Sequence, residues 1–248
     1  MAAGADATLC GATKRLSIGM GLSLCVAPGA PPARVIALTL VDQISGGDMY
    51  RVHGVLESGN CYKVRLALEQ LGFPYQWHEV DLLGGETRDP AFLALNPDGK
   101  VPVIELPDGE RLTESNAILC YLAKDSPLLP ERRLEWAQVL SWLFFEQYSH
   151  EPYIATARFR IHFLGESPAG NAEVESKHRP GYRALALMNT HLEQHPFLVA
   201  DRYTIADIAL FAYTHVAPEG GFDLHPYPAL LRWLDRVRAQ PGFAPMYG

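Results

Sequence analysis

The chain has 248 residues, 48% apolar and 20% charged, with a net charge of -7. That balance belongs to a soluble globular protein and excludes collagen-like, fully disordered and multi-span membrane chains. The acidic excess argues against a nucleic-acid binder, which carries a basic face, and four cysteines are too few for a disulfide scaffold.

Taken in chain order, residues 1–48 stand apart. Lys14, Arg15 and Arg34 balance Asp6, Asp42 and Asp48, so the whole -7 falls on residues 49–248. The apolar stretches 16–27 and 35–44 flank Pro28, Pro31 and Pro32. Neither reaches the roughly 20 residues that span a bilayer. A signal peptide led by Lys14-Arg15 is one reading, but a proline falls in its cleavage site and a long segment precedes its basic residues. An unordered extension, or a start codon assigned too early, is the expectation. Ser45-Gly46-Gly47-Asp48 can be encoded by a purine-rich, ribosome-binding-like stretch, which puts the native start at Met49 and leaves a chain of 200 residues.

From Met49 the pattern is regular. Residues 50–56 alternate and read as a strand bounded by Glu57-Ser58-Gly59. Residues 61–71 carry a helical apolar stripe, closed by Gly72 and Pro74. Residues 75–80 read as a second strand and 90–95 as a short helix. Strands 101–106 and 111–113 are joined by the Pro107-Asp108-Gly109 turn. A helix follows over 116–123, with Ser115 as its expected N-cap. The order predicts a small α/β domain with a mixed sheet over residues 49–125.

After a linker over 126–131 the period is helical throughout 132–248. Long helices are predicted over 134–164 and 172–194, the second interrupted at Pro180-Gly181. Two more follow over 204–216 and 229–239. Thr204-Ile205-Ala206-Asp207 is a capping box that opens the third. The fold class is therefore α/β followed by all-α.

Chemistry concentrates at strand-to-helix junctions. Ser58-Gly59-Asn60-Cys61 sets small polar groups at a helix N-terminus, where free N–H groups and the macrodipole favour an anion. Thr113-Glu114-Ser115-Asn116 is a second such junction, and Gly99-Lys100-Val101-Pro102 lies between them. Taken alone, Ser58 reads as an N-cap, and Cys61 and Cys120 read as small buried hydrophobes. His191 and His195 are spaced i, i+4 without a third ligand and read as surface histidines. There is no P-loop, dinucleotide fingerprint or Cys/His zinc spacing.

Four motifs in this order carry a resemblance over all of residues 49–248: Ser58-Gly59-Asn60-Cys61-Tyr62-Lys63-Val64-Arg65, Asn96-Pro97-Asp98-Gly99-Lys100-Val101-Pro102-Val103, Glu114-Ser115-Asn116-Ala117-Ile118, and the box at Thr204 to Asp207. The chain resembles a cytosolic-type bacterial glutathione transferase. The resemblance implies a thioredoxin-like domain followed by an all-helical domain, a homodimer, a reduced cytoplasmic protein and a detoxification role. It implies glutathione as co-substrate with no metal, and a small electrophile or disulfide as partner, with neither nucleic acid nor membrane. It also implies a cis Val101–Pro102 bond and a Val101 backbone that pairs with the cysteinyl part of glutathione. Glu114 and Ser115 would hold the γ-glutamyl end, and Lys100 would lie near the glycyl carboxylate.

Ser58 and Asn60 match the Thr/Asn pair of the nu class with Ser in place of Thr, which makes them the candidate catalytic residues. Ser58 also stands where the first cysteine of a redox motif would be, so a two-cysteine mechanism is not available. Tyr148 and Tyr153 are the candidate walls of the electrophile pocket, on a helix where Phe144, Phe145 and Phe159 are expected mostly in the core. His150 and Arg158 reach the same cleft or are solvated. The expected function is conjugation of the glutathione thiolate to electrophiles. A glutathione-dependent disulfide reductase and a non-catalytic binding module are the alternatives.

Energetics narrow the roles. Lowering a thiol pKa from about 8.5 to about 6.5 takes roughly 2.7 kcal/mol. A helix N-terminus supplies about 0.3–1 kcal/mol, up to about 2. One hydrogen bond to a charged group adds roughly 1.5–3 kcal/mol. At least one of Ser58 and Asn60 therefore has to point at sulfur.

Overall fold

The computed structural model describes residues 14–18, 22–26 and 49–247. Within residues 1–48, β1 (Lys14–Ile18) and β2 (Leu22–Val26) pair antiparallel, with Lys14 opposite Val26. The cleavage site of the leader reading and the residues before the expected start at Met49 lie outside the described residues.

From residue 49 the first elements are β3 (Tyr50–Gly54), α1 (Gly59–Leu71), β4 (Tyr75–Glu79), α2 (Pro90–Leu95), β5 (Val103–Glu105), β6 (Arg111–Leu112) and α3 (Ser115–Leu122). The sheet order is β4-β3-β5-β6. β3 runs parallel to β4, with Val52 opposite Trp77, and antiparallel to β5, with Val52 opposite Ile104. α1 buries Tyr62, Val64, Leu66, Ala67 and Leu68 and ends at Gly72, which takes a left-handed φ of 68°. A small mixed sheet with helices is thus followed by helices alone.

Those are α4 (Arg133–Phe145), α5 (Glu151–Arg158), α6 (Ala172–Leu192), α7 (Ile205–Thr214) and α8 (Pro228–Arg238). The expected long helix over 134–164 is one helical run broken in register by π turns at Glu146–His150 and Phe159–Phe163. The expected interruption at Pro180-Gly181 is absent: α6 continues through Pro180. Gly181 is buried, and a Cβ there would fall 2.4 Å from the Phe222 ring, so the glycine admits Phe222 rather than ending the helix.

One apolar core joins the sheet to the helices. It includes Val52, Tyr62 and Ile104 from the first part and Phe211 and Trp233 from the second. α7 lies at its centre with every residue buried. Its capping box is complete: Asp207 accepts from the Thr204 N–H at 2.9 Å and from the Trp233 indole at 2.9 Å. α1 and α3 both pack on α7, which holds the two strand-to-helix junctions in place.

Candidate active site

The turn after β3 sets the first junction. The Ser58 N–H donates to the Val55 carbonyl, and the Ser58 hydroxyl oxygen caps α1 by accepting from the Cys61 N–H at 3.4 Å. Among the described residues the hydroxyl proton of Ser58 has no acceptor and can donate to a ligand. Gly59 follows against Tyr213, whose ring a Cβ would approach to 2.6 Å, so only glycine admits this close approach. Cys61 is wholly buried, and burial pushes its thiol up to about 11, so it is an inert core group. Cys120 is partly buried against the core.

The second junction departs from expectation. Ser115 is the first residue of α3, and Glu114 occupies the cap position with φ 67°. Ser115 therefore does not cap. Its hydroxyl donates to Asn60 Oδ1 at 3.1 Å and accepts from Lys63 Nζ at 3.3 Å. The Val101–Pro102 peptide is cis.

Asn60, Lys100, Val101, Pro102, Glu114 and Ser115 line one cavity of about 300 Å³. Lys100 is exposed at its rim, with Nζ 2.7 Å from Asp98. The helical part closes the cavity with Gln147 and Glu151. Ser58 lines an adjoining cleft of about 390 Å³, walled by Ala155, Phe159, Phe163 and Tyr213. Asn60, Lys100, Val101 and Glu151 line both spaces, so the two are neighbours that share these side chains as a wall.

Tyr148 and Tyr153 line neither space, and Tyr148 is 83% exposed. Phe144 is 68% exposed rather than core. Phe144 and Tyr148, four apart, share the solvent face of the run opposite buried Leu143, Glu146 and His150, and a π turn at Glu146–His150 is closed by a bond from the Glu151 N–H to the Glu146 carbonyl. It brings residues five apart onto one face. Glu146 is fully buried and Glu151 lines both spaces, while Tyr148 is exposed and Tyr153 half-buried. Arg158 borders the cleft but is buried, held by Glu219 at 2.6 Å, the Glu57 carbonyl at 2.7 Å and Tyr247 at 2.7 Å. His150 is buried against Thr214, and His191 and His195 stack on each other and line neither space.

Four site residues escaped the sequence reading: Lys63, Glu146, Gln147 and Glu151. Lys63 and Glu146 form an ion pair at 2.9 Å with both side chains fully buried. Glu151 accepts from Asn60 Nδ2 at 3.3 Å, and burial first, then Glu146, raises its pKa above the ordinary carboxylate value. The one available signal was Lys63 itself, a charge inside the apolar stripe of α1.

A dipole-positive helix start, a free hydroxyl and an amide beside a polar cavity can hold an anionic sulfur. The family model described as glutathione S-transferase, N-terminal domain, matches residues 57–125, and the corresponding C-terminal domain model matches 142–241. The chain is 33% identical over 190 residues to the disulfide-bond oxidoreductase YfcG of Escherichia coli K12, covering 73% of this chain and 87% of that protein. The chain belongs to the glutathione S-transferase family. A crystal structure of a glutathione S-transferase from Pseudomonas fluorescens Pf-5 superimposes with a TM-score of 0.78 at 53% identity, over 80% of this chain and 99% of that one. A Pseudomonas putida glutathione transferase, solved with one glutathione disulfide bound per subunit, has a TM-score of 0.71 at 26% identity, over 81% and 91% of the two chains. This glutathione S-transferase family member thus shares its fold with a protein that carries glutathione disulfide in the crystal.

Proposed function

We propose that the protein is a glutathione transferase of a nu-like Ser/Asn type. The observation that carries the reading is the gathering of Asn60, Lys100, Val101, Pro102, Glu114 and Ser115 around one cavity, beside an apolar-walled cleft that Ser58 lines. Its volume of about 300 Å³ lies in the range of small-molecule sites. In this reading the Val101 backbone pairs with the cysteinyl residue, and Glu114 and Ser115 take the γ-glutamyl end. Lys100 meets the glycyl carboxylate. Ser58 and Asn60 donate to the sulfur. The thiol releases its proton to solvent, and the thiolate lone pair forms the new bond to an electrophilic carbon as the leaving group departs. Nearness, orientation and a stabilised thiolate supply the rate.

A second reading, reduction of disulfides with glutathione, is favoured by the likeness to the disulfide-bond oxidoreductase YfcG and to the Pseudomonas putida transferase that holds glutathione disulfide. Thiolate attack on one sulfur would expel the other as a thiolate. Cys61 is buried with a raised thiol pKa and Ser58 replaces its partner, so reduction would use two glutathiones and no protein cysteine. We further propose a homodimer in a reducing, cytoplasmic setting, consistent with Cys61 and Cys120 being free thiols. No helix among the described residues is long and apolar enough to cross a membrane.

A panel of electrophiles and disulfides assayed with glutathione separates the two activities. Retention on immobilised glutathione without turnover on any of them would leave a binding module instead. In the active assay, Ser58→Ala or Asn60→Ala is expected to lower kcat about tenfold or more. Wild-type turnover and thiol pKa in the double variant would remove both residues from the mechanism.

A further inference from the structure

Lys63 lies between Tyr62 and Val64 in the buried face of α1 and is 0% exposed. Its Nζ donates to Asn60 Oδ1 at 2.8 Å, to Glu146 Oε1 at 2.9 Å and to Ser115 Oγ at 3.3 Å. An ammonium has three donors and no acceptor, so the Asn60 atom that faces it has to be the amide oxygen. Ser115 adds a second donor to the same oxygen at 3.1 Å. With its oxygen held from below, Asn60 turns Nδ2 outward, where it meets Glu151 at 3.3 Å on the wall shared by the two spaces. The orientation matters because the two ends of an amide are opposite poles. The NH₂ end stabilises a thiolate, and the oxygen end repels one.

Glu146 makes the buried ammonium tenable. Its second oxygen is itself fixed by Asn116 and Gln147, each at 2.9 Å. A buried ion pair adds little to stability over an apolar pair of the same volume, so packing alone does not account for it. We propose that Lys63, anchored by Glu146, is a positioning residue that decides which end of the Asn60 amide faces the glutathione sulfur. This rests on the glutathione reading given above.

The test is a double variant, Lys63→Met with Glu146→Met, which leaves no unpaired buried charge, made in the wild-type and Asn60→Ala backgrounds. Thermal unfolding checks the fold, the ultraviolet absorbance of bound thiolate against pH gives the thiol pKa, and kcat and KM are measured with a standard electrophile. We expect a thiol pKa about one unit higher and kcat about tenfold lower, with KM for glutathione changed less than about threefold. We expect no further change when the double variant is added to Asn60→Ala, because the two act through one group. Lys63→Arg, also donor-only, is expected to keep most of the activity. Lys63→Gln, whose amide can present either end, carries the same expectation as the double variant should the latter not fold. An unaltered thiol pKa in the Lys63 variants while Asn60→Ala raises it would overturn this proposal alone, as would a full additional loss on top of Asn60→Ala. An unaltered thiol pKa in Asn60→Ala itself would overturn the Asn60 assignment and this proposal together.

Discussion

Asn60 and Ser115 sit at the starts of different helices, 55 positions apart in the chain, yet their side chains are 3.1 Å apart. The motifs marked both as chemically active, but the expected cap role of Ser115 was wrong because its hydroxyl has better partners in Asn60 and Lys63 than in its own backbone. Lys63 was legible only as an oddity, since burial of its charge depends on Glu146, 83 positions away. His150 shows the same dependence. It is fully buried, and desolvation, partly offset by Glu146, pushes its imidazole down to about 4. Its Nε2 meets the Thr214 hydroxyl at 2.9 Å. The unfolded chain protonates near pH 6.5 and the folded protein only near 4, so the unfolded state holds the extra proton between those values. Stability from this residue therefore falls as pH drops from about 6.5 to about 4, by about 3 kcal/mol at most. Urea unfolding of His150→Gln, which keeps a donor for Thr214, should show a flatter pH dependence over that window. A profile identical to wild type would refute the assignment.

Among elements, the helical run from Arg133 to Phe163 and α7 behaved differently. The apolar period of α7 and its capping box were read from sequence because every bond of the box lies within four residues or on the core it faces. Asp207 accepts from the Leu198 N–H at 3.1 Å as well as from Thr204 and Trp233. Asp207→Ala would leave those buried donors unpaired, at about 1–3 kcal/mol each. A loss of about 3 kcal/mol or more in chemical denaturation is expected, and a loss under about 1 kcal/mol would show that water replaces the carboxylate. The π turn at Glu146–His150 had no such signature. It inserts one residue into a helix whose composition stays helical, and Glu151, five residues after Glu146, lines the cleft where Tyr148 and Tyr153 were expected.

Across the molecule, large apolar side chains remain in solvent: Tyr121 on α3, Leu134 and Phe144 on α4, and Tyr148 at 83% exposure. A second copy of the chain covering them is the proposed homodimer. Phe144→Ser with Tyr148→Ser is expected to shift sedimentation equilibrium from dimer toward monomer by at least tenfold in dissociation constant, about 1.4 kcal/mol. A wild-type monomer in the same experiment would end the proposal.

Residues 49–248 determined by themselves the element order, the mixed sheet followed by helices, the strand-to-helix junctions and the motif positions, because each depends on period, caps and turns a few residues long. Tertiary structure alone decided which junctions meet, which charges are buried and which way the site amide points. Those depend on contacts such as Lys63 with Glu146 and Asn60 with Glu151, whose partners lie on the far domain and have no local pattern to announce them.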